Sequence, residues 1–484
     1  MIILQLEATL NKYFGYSSFR PGQKEVIEQL VKGQDVIALL PTGMGKSLCY
    51  QLPGYIFEAP VLIISPLLSL MQDQVTQMKQ NGEKRVIAIN SFLTAEQKQV
   101  AINELHQYRF IFISPEMLLQ AHVQNRLSQM ALSLIVIDEA HCISQWGFDF
   151  RPDYLRIGEV FDRENRPPIL ALSATATDKV LGDVEKYLKM KIPYKYIHSV
   201  DRPNIHLGKR FFRDQEDKLQ WILQHVQDTE GPGIIYTQSR SKTESISERL
   251  LQLGISVASY HAGKDALDRQ FIQQQFIEGS LDWIVATNSF GMGVNKQDVR
   301  QVIHFSIPSN VASYMQEIGR AGRDGEHALA IILYTDGDED VARMLATDDL
   351  PTEHHIERYA QYISQNENVK NMIQNGEISE TALRVLDYWM VQLPREQVAH
   401  ILTEMKREKL LEIDEMMGIV RTEKCMRERI VHYFGQTLAS KPENCCESCG
   451  LSFFDIIRPR EKDKASYQPI TWKERIESIL LGNE

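Results

Sequence analysis

A chain of 484 residues with 43% hydrophobic and 24% charged side chains is long enough for two to four domains with sizeable cores, and its composition is that of a soluble globular protein. No apolar run reaches the roughly 20 residues of a membrane span, and Met1–Leu10 lacks the basic start and cleavage pattern of an export signal; a cytoplasmic protein without a membrane partner is expected. The formal net charge of −11 argues against wholesale polyanion binding, though an acidic whole can carry a local basic track.

In chain order, the first signal is an aromatic, a guanidinium and a carboxamide at Tyr16, Arg20 and Gln23, ahead of a helical pattern with Val26, Ile27, Leu30 and Val31 on one face. These groups suit stacking on an adenine ring and hydrogen bonding to its edge. A helix entry capped near Ser17 or Ser18 is the plainer reading of the same residues. Asp35–Leu40 (DVIALL) predicts a buried strand, and the loop after it, Pro41-Thr42-Gly43-Met44-Gly45-Lys46-Ser47, has the residues of a phosphate cradle. Gly43 and Gly45 let backbone amides turn inward around a triphosphate, Lys46 supplies a point charge for the β and γ phosphates, and Ser47 offers its hydroxyl to Mg²⁺.

Two further predicted strands, Val61–Ile64 and Phe110–Ile113, end in Ser65-Pro66 and Ser114-Pro115, which suit either backbone phosphates or ordinary turns. A third, Leu134–Ile137, delivers Asp138-Glu139-Ala140-His141. An acidic pair at a strand end is the expected partner of a phosphate loop: Asp138 orients Mg²⁺ and Glu139 polarises the attacking water. The stretch Cys142 to Tyr154 interleaves Trp146, Phe148, Phe150 and Tyr154 with Arg151, a surface on which unstacked bases can lie at about 1–3 kcal/mol per base. Glycine and proline within it disfavour a regular element.

Asp138–Tyr154 closely resembles the aromatic-rich loop of RecQ DNA helicases of superfamily two, with Phe148 where that family usually has His. Ile169–Leu172 then leads into Ser173-Ala174-Thr175-Ala176-Thr177, a segment that in related motors links nucleotide state to the domain interface. After Asp201-Arg202-Pro203-Asn204, a second set of βα signals (Gly233–Thr237, Val257–Tyr260, Trp283–Thr287, Val302–Phe305, Leu329–Tyr334) looks like a second RecA-like lobe. Tyr236–Arg240, Tyr260–Gly263 and Ala286–Lys296 resemble the family's second-lobe motifs, as does Gln316–Gly325. In the last of these, Arg320 and Arg323 stand three apart and suit arginine fingers, with Arg323 the main finger by resemblance and Arg320 in support.

Further on, Cys425, then nineteen residues, then Cys445-Cys446-Glu447-Ser448-Cys449 offers four thiolates to a structural Zn²⁺ and resembles the RecQ zinc module, including Arg427 and Tyr433-Phe434-Gly435. The family's spacing puts a ligand at position 443, which is Glu443 here, and adjacent Cys445 and Cys446 would strain a shared metal, so the identity of the fourth ligand stays open; reduced structural cysteines are the alternative to zinc. Arg458–Gln468 reads as a polar linker, and Thr471-Trp472-Lys473-Glu474 as the capping box of an amphipathic helix with Trp472, Ile476, Ile479 and Leu480 on one face. The residues after Cys449 are too few for the winged-helix and helicase-and-RNase-D-like domains of longer family members.

The resemblance implies an α/β fold of two tandem RecA-like lobes with parallel sheets, followed by a helical zinc-binding subdomain. The expected division is 1–205, 206–345, 346–455 and a C-terminal 456–484. It further implies an ATP-dependent, Mg²⁺-requiring 3′ to 5′ helicase, monomeric and nucleoid-associated, acting on single-stranded and tailed or forked duplex DNA beside single-strand-binding or other repair proteins. Catalysis would rest on Lys46, Asp138, Glu139, Arg320 and Arg323, and nucleotide binding on Tyr16, Arg20, Gln23, Thr42–Ser47 and Gln316. Two alternatives are an ATP-driven translocase or annealing factor that does not separate strands, and an ATP-gated clamp with negligible turnover; intact Lys46, Glu139 and Arg323 speak against the clamp.

Overall fold

The computed structural model describes residues 6–66, 68–90, 93–144, 151–161, 165–291, 294, 296–453 and 456–460. The chain folds as two compact units, one of Met1–Arg202, Pro308–Gly319 and Glu339–Lys441, the other of Pro203–Ile307, Arg320–Asp338 and Pro442–Glu484.

The first unit is built on seven strands, β1 (Val36–Leu39), β2 (Val61–Ile64), β3 (Val86–Ile89), β4 (Phe110–Ile113), β5 (Leu134–Ile137), β6 (Ile169–Ser173) and β7 (Tyr194–Ile197). They form a wholly parallel sheet in the order β3-β4-β2-β5-β6-β1-β7. Such sheets are covered on both faces, which is why the central strands read as continuous apolar runs. Alternate residues fill opposite cores: Ile37, Leu39, Leu62, Ile64, Ile135 and Ile137 on one side, Val36, Ala38, Val61, Ile63, Leu134 and Val136 on the other. Because β2, β5, β6 and β1 are neighbours, the loops at their carboxyl ends converge, and ligands of open α/β sheets bind there.

The same unit includes a helical layer. Glu353–Ser364, Glu380–Gln392 and the 27-residue Arg395–Arg421 enclose a core of Ile356, Tyr359, Leu386, Trp389, Leu402 and Met405. Tyr388 from this layer also packs on the first sheet's core, and Arg384 pairs with Glu116 at 3.4 Å.

In the second unit β8 (Ile205–Phe212), β9 (Gly233–Tyr236), β10 (Val257–Tyr260), β11 (Trp283–Ala286), β12 (Gln301–His304) and β13 (Ala328–Thr335) form a parallel sheet in the order β10-β11-β9-β12-β13-β8. The chain after Pro442 returns to this sheet through bridges Leu207–Cys446 and Thr229–Pro459, and Phe453 and Ile457 enter its core. Three strands, β3, β7 and β8, were not predicted from the sequence. β7 (YKYI) is an edge strand with its lysine outward, and β8 (IHLGKRFF) carries a glycine and two cations, so neither shows a clean apolar run.

Candidate active site

The loop after β1 turns through Gly43 and Gly45, at φ of 91° and 76°, before Ser47 opens the helix Leu48–Ile56. The φ at Gly45 is one that L side chains rarely adopt, and a Cβ there would fall 2.7 Å from Nε2 of Gln23 and push that carboxamide aside. Buried Gln23 donates from Nε2 to the carbonyl oxygens of Met44 (2.9 Å) and Gly45 (3.1 Å), while its Oε1 accepts from the Arg20 amide at 2.9 Å. The Arg20 guanidinium donates to the Gly43 carbonyl. Both residues expected at an adenine therefore brace the phosphate loop, and Tyr16 stands exposed ahead of them. Arg202 donates to the Thr42 carbonyl at 3.4 Å, a contact with no local sequence signal.

At the end of β5, Glu139 occupies left-handed backbone (φ 47°, ψ 49°), a conformation that costs a non-glycine residue of order 1 kcal/mol or more and recurs at functional sites. There its carboxylate lies 3.4 Å from Nζ of Lys46. Asp138 accepts from the Glu139 amide (3.0 Å) and from the Ser65 hydroxyl at the end of β2 (3.3 Å). Burial, reinforced by the neighbouring Glu139 charge, raises the Asp138 carboxyl to about 6, against the opposing pull of Lys46 and its two donors. A carboxyl pair beside a hydroxyl and an ammonium is a donor set that fits Mg²⁺ and a triphosphate. His141, named in the motif but given no role from the sequence, is buried with Nδ1 3.0 Å from Ser173 Oγ and 3.4 Å from Glu139 Oε2. Ser173 in turn donates to the Thr175 carbonyl at 2.9 Å, so the ends of β5 and β6 are joined.

Of the expected base-stacking residues, Trp146, Phe148 and Phe150 lie outside the described residues. Arg151 donates to the Pro66 carbonyl at 3.0 Å. Tyr154 corrects its expectation: its side chain is fully buried in the first core, and its hydroxyl donates to the Asp138 carbonyl at 3.1 Å. Pro152 starts the short helix Pro152–Leu155, from which the ring packs into the core.

In the second unit Arg320 is buried and donates to the Gly291 carbonyl, and Arg323 donates to the Val294 carbonyl at 2.6 Å. The two arginines thus grip the glycine-rich loop after β11; Met292, Gly293 and Asn295 of that loop lie outside the described residues. Gly291 has φ 138°, and a Cβ there would fall 1.9 Å from Cζ of Arg320. Gln316 is half-buried on the helix Val311–Ile318 of the first unit, whose N-cap Asn310 accepts from the Ser313 amide at 2.7 Å.

Two family models match where these sites lie: "DEAD/DEAH box helicase" over residues 20–184 and "Helicase conserved C-terminal domain" over residues 217–325. A curated relative, "Probable ATP-dependent DNA helicase RecS" of Bacillus subtilis, is 38% identical over 98% of this chain and 98% of its own length. The chain belongs to the RecQ family of ATP-dependent DNA helicases. "ATP-dependent DNA helicase RecQ" of Haemophilus influenzae is 43% identical over 68% of the chain, which spans 53% of that protein. Among solved structures, the fold is shared with the DUF1998 helicase MrfA bound to DNA and AMPPNP (TM-score 0.58, 20% identity, 70% of this chain, 52% of that one). Saccharomyces cerevisiae Dbp5 bound to RNA and ADP BeF3 shares it likewise (TM-score 0.56, 18% identity, 69% and 88%).

This RecQ-family chain also carries the expected cysteine cluster. The sulfurs of Cys445, Cys446 and Cys449 lie within 4.8 Å of one another, with Cys446 and Cys449 at 3.6 Å. Thiolates bound tetrahedrally at about 2.3 Å from zinc sit roughly 3.8 Å apart, so this pair fits the metal. The turn is set by the Cys449 amide donating to the Cys446 carbonyl (2.8 Å), and the Glu447 carboxylate accepts from the Lys209 amide of β8 (2.8 Å). Glu443 is exposed, and the group of potential ligands does not include it. Cys425, in the first unit, is the buried N-cap of the helix Met426–Tyr433. The next residue, Arg427, is buried and pairs with Asp201 while donating to the Arg202 carbonyl at 2.9 Å. Through Arg202 it reaches Thr42 of the phosphate loop, a link that only folding reveals.

Proposed function

We propose that this RecQ-family chain translocates 3′ to 5′ on single-stranded DNA and unwinds tailed or forked duplex in repair, recombination or replication-fork processing. The observation that carries the reading is the Lys46–Glu139–Asp138 constellation at the carboxyl end of the first sheet, in a chain that matches an ATP-dependent DNA helicase over nearly its whole length. Lys46 and the inward amides of Gly43 and Gly45 bind phosphate oxygens. Mg²⁺, when bound, neutralises charge on those oxygens, with Asp138 and Ser47 as its holders. Glu139, released from Lys46, orients the attacking water and takes up its proton at the carboxylate. Arg323, with Arg320 behind it, meets the charge that develops on the transferred phosphoryl group, and Gln316 belongs to the same nucleotide shell. Tyr16, Arg20 and Gln23 select adenine.

Trp146, Phe148, Phe150 and Arg151 engage the single strand, and Tyr154 carries the state of that loop to Asp138. Cys445, Cys446 and Cys449, with Cys425 as the fourth ligand, hold a structural zinc. A monomer in the cytoplasm, close to the nucleoid, with single-strand-binding or repair proteins nearby, suits this role.

The test is strand separation of a duplex with a 3′ single-stranded tail beside its 5′-tailed counterpart, with ATP and Mg²⁺. A 3′-selective product with DNA-stimulated turnover is expected. Stimulated turnover without separation would replace the helicase by a translocase or annealing factor, and 5′ selectivity would reverse the polarity.

A further inference from the structure

The helix Ala266–Glu278 in the second unit buries Phe276 but leaves Leu267 and Phe271 72% and 71% exposed. The two are four apart and so lie on one stripe, continued by exposed Gln274 and Glu278. A leucine and a phenylalanine this open on one helical face make an apolar stripe of the kind found at interaction sites.

We propose that the cover is the chain's own C-terminal segment, Thr471–Leu481, docked on the Leu267–Phe271 stripe. The last described residues are anchored close by. The Arg460 amide donates to the Asp228 carbonyl (2.8 Å), its Nε to the Thr229 carbonyl (3.2 Å), and its guanidinium pairs with Asp282 at 3.4 Å. Asp282 follows the end of the receiving helix by four residues, and the Ser280 amide is bonded to the Gln275 carbonyl (2.9 Å). From that end to Leu267 is about 17 Å of helix at 1.5 Å per residue. Residues 461–470, extended, span up to about 33 Å, enough to bring 471–481 alongside.

The chemistry also matches. Trp472, Ile476, Ile479 and Leu480 recur at helical spacing and need an apolar partner, and the segment carries no net charge to oppose its approach to an apolar stripe. Leu251 and Leu253, also exposed in this unit, do not offer a stripe: Leu253 falls beyond the helix Arg240–Gln252 that carries Leu251.

Hydrogen exchange on the full chain tests this. Amides of 472–481 should exchange at least about tenfold more slowly than in the free peptide of that sequence, and Leu267→Glu with Phe271→Glu should abolish the slowing while the β8–β13 amides stay protected. The reciprocal variant, Ile476→Glu with Ile479→Glu, should give the same loss without touching the receiving helix. No slowing in the unmodified chain overturns the proposal, as does slowing that survives both substitutions on the stripe. A concentration-dependent dimer in light scattering, dissolved by Leu267→Glu with Phe271→Glu, would instead make the occupant a second copy and also overturns it.

Discussion

The hydroxyl of Tyr154 donates to the backbone carbonyl of Asp138 at 3.1 Å, tying the helix Pro152–Leu155 to the carboxyl pair Asp138–Glu139. Tyr154 is buried and makes this contact from a short helix that begins at Pro152, so the bond is the one through which the proposed coupling of DNA to Asp138 would act. Tyr154→Phe keeps the packing and removes the bond, worth about 1 kcal/mol. DNA-stimulated ATP turnover should fall about fivefold with basal turnover unchanged, measured as ATPase rate with and without single-stranded DNA.

Asp138 gives the site a pH signature. Its carboxyl is raised to about 6 by burial and by Glu139, above the ordinary range near 4, so between these values the folded chain binds the proton more tightly than the unfolded one. Stability contributed by this group is therefore highest at or below about pH 4 and declines as pH rises to 6, remaining reduced by roughly 1–3 kcal/mol above that. Asp138→Asn removes the penalty. Without Mg²⁺, the variant should melt at higher temperature than the parent at pH 8 and by a smaller margin at pH 5, while losing ATP turnover at both.

The strands that carry the candidate site were legible because each is a short apolar run closed by a turn signal: VIAL before Pro41–Ser47, LIVI before Asp138. What the side chains do at those strand ends was less so. The left-handed backbone of Glu139 has no residue signature, since glutamate rarely adopts it, and it is this turn that points the carboxylate at Lys46. Tyr154 was misread because glycine and proline erase any period in the stretch before it, leaving nothing in the spacing to separate a buried ring from an exposed one. The return of Cys446 to β8 and of Pro459 to Thr229 is long-range pairing, which composition and local spacing do not encode.

Gly291 and Arg320 form a pair in which one residue's lack of a side chain makes room for the other. A methyl at Gly291 would meet the guanidinium carbon at 1.9 Å in a backbone conformation that L side chains rarely adopt, so Gly291→Ala must displace Arg320. If Arg320 supports catalysis as proposed, Gly291→Ala should lower kcat by at least about tenfold, in the direction of Arg320→Ala, with a smaller change in KM for ATP. Steady-state ATPase kinetics of the two variants decide it. An unchanged kcat would remove Arg320 from the catalytic set.

The cysteine cluster predicts metal dependence of structure rather than of chemistry. Purified protein should contain about one zinc per chain, and Cys449→Ala, which removes one of the close 3.6 Å sulfur pair, should lose it together with several degrees of melting temperature. Metal analysis beside a thermal melt reads both. Metal-free protein with unchanged melting would reduce the cluster to packing.

Arg427 and Asp201 test the link from the zinc-module helix to the phosphate loop. Arg427 is buried and Asp201 partly so; Arg427→Ala removes a charge-assisted hydrogen bond from that carboxylate and should cost about 1.5–3 kcal/mol. Removing both charges leaves no uncompensated ion, and the double variant Asp201→Ala with Arg427→Ala should be more stable than Arg427→Ala alone, a coupling that a double-mutant cycle in urea measures. Arg427 also holds the Arg202 carbonyl, and Arg202 holds Thr42; the double variant should therefore keep much of its stability yet bind ATP more weakly, because the loop has lost its brace. A loss in the double variant equal to the sum of the losses in Asp201→Ala and Arg427→Ala would mean that the pair is not coupled, and normal ATP affinity in the double variant would cut the connection to Thr42.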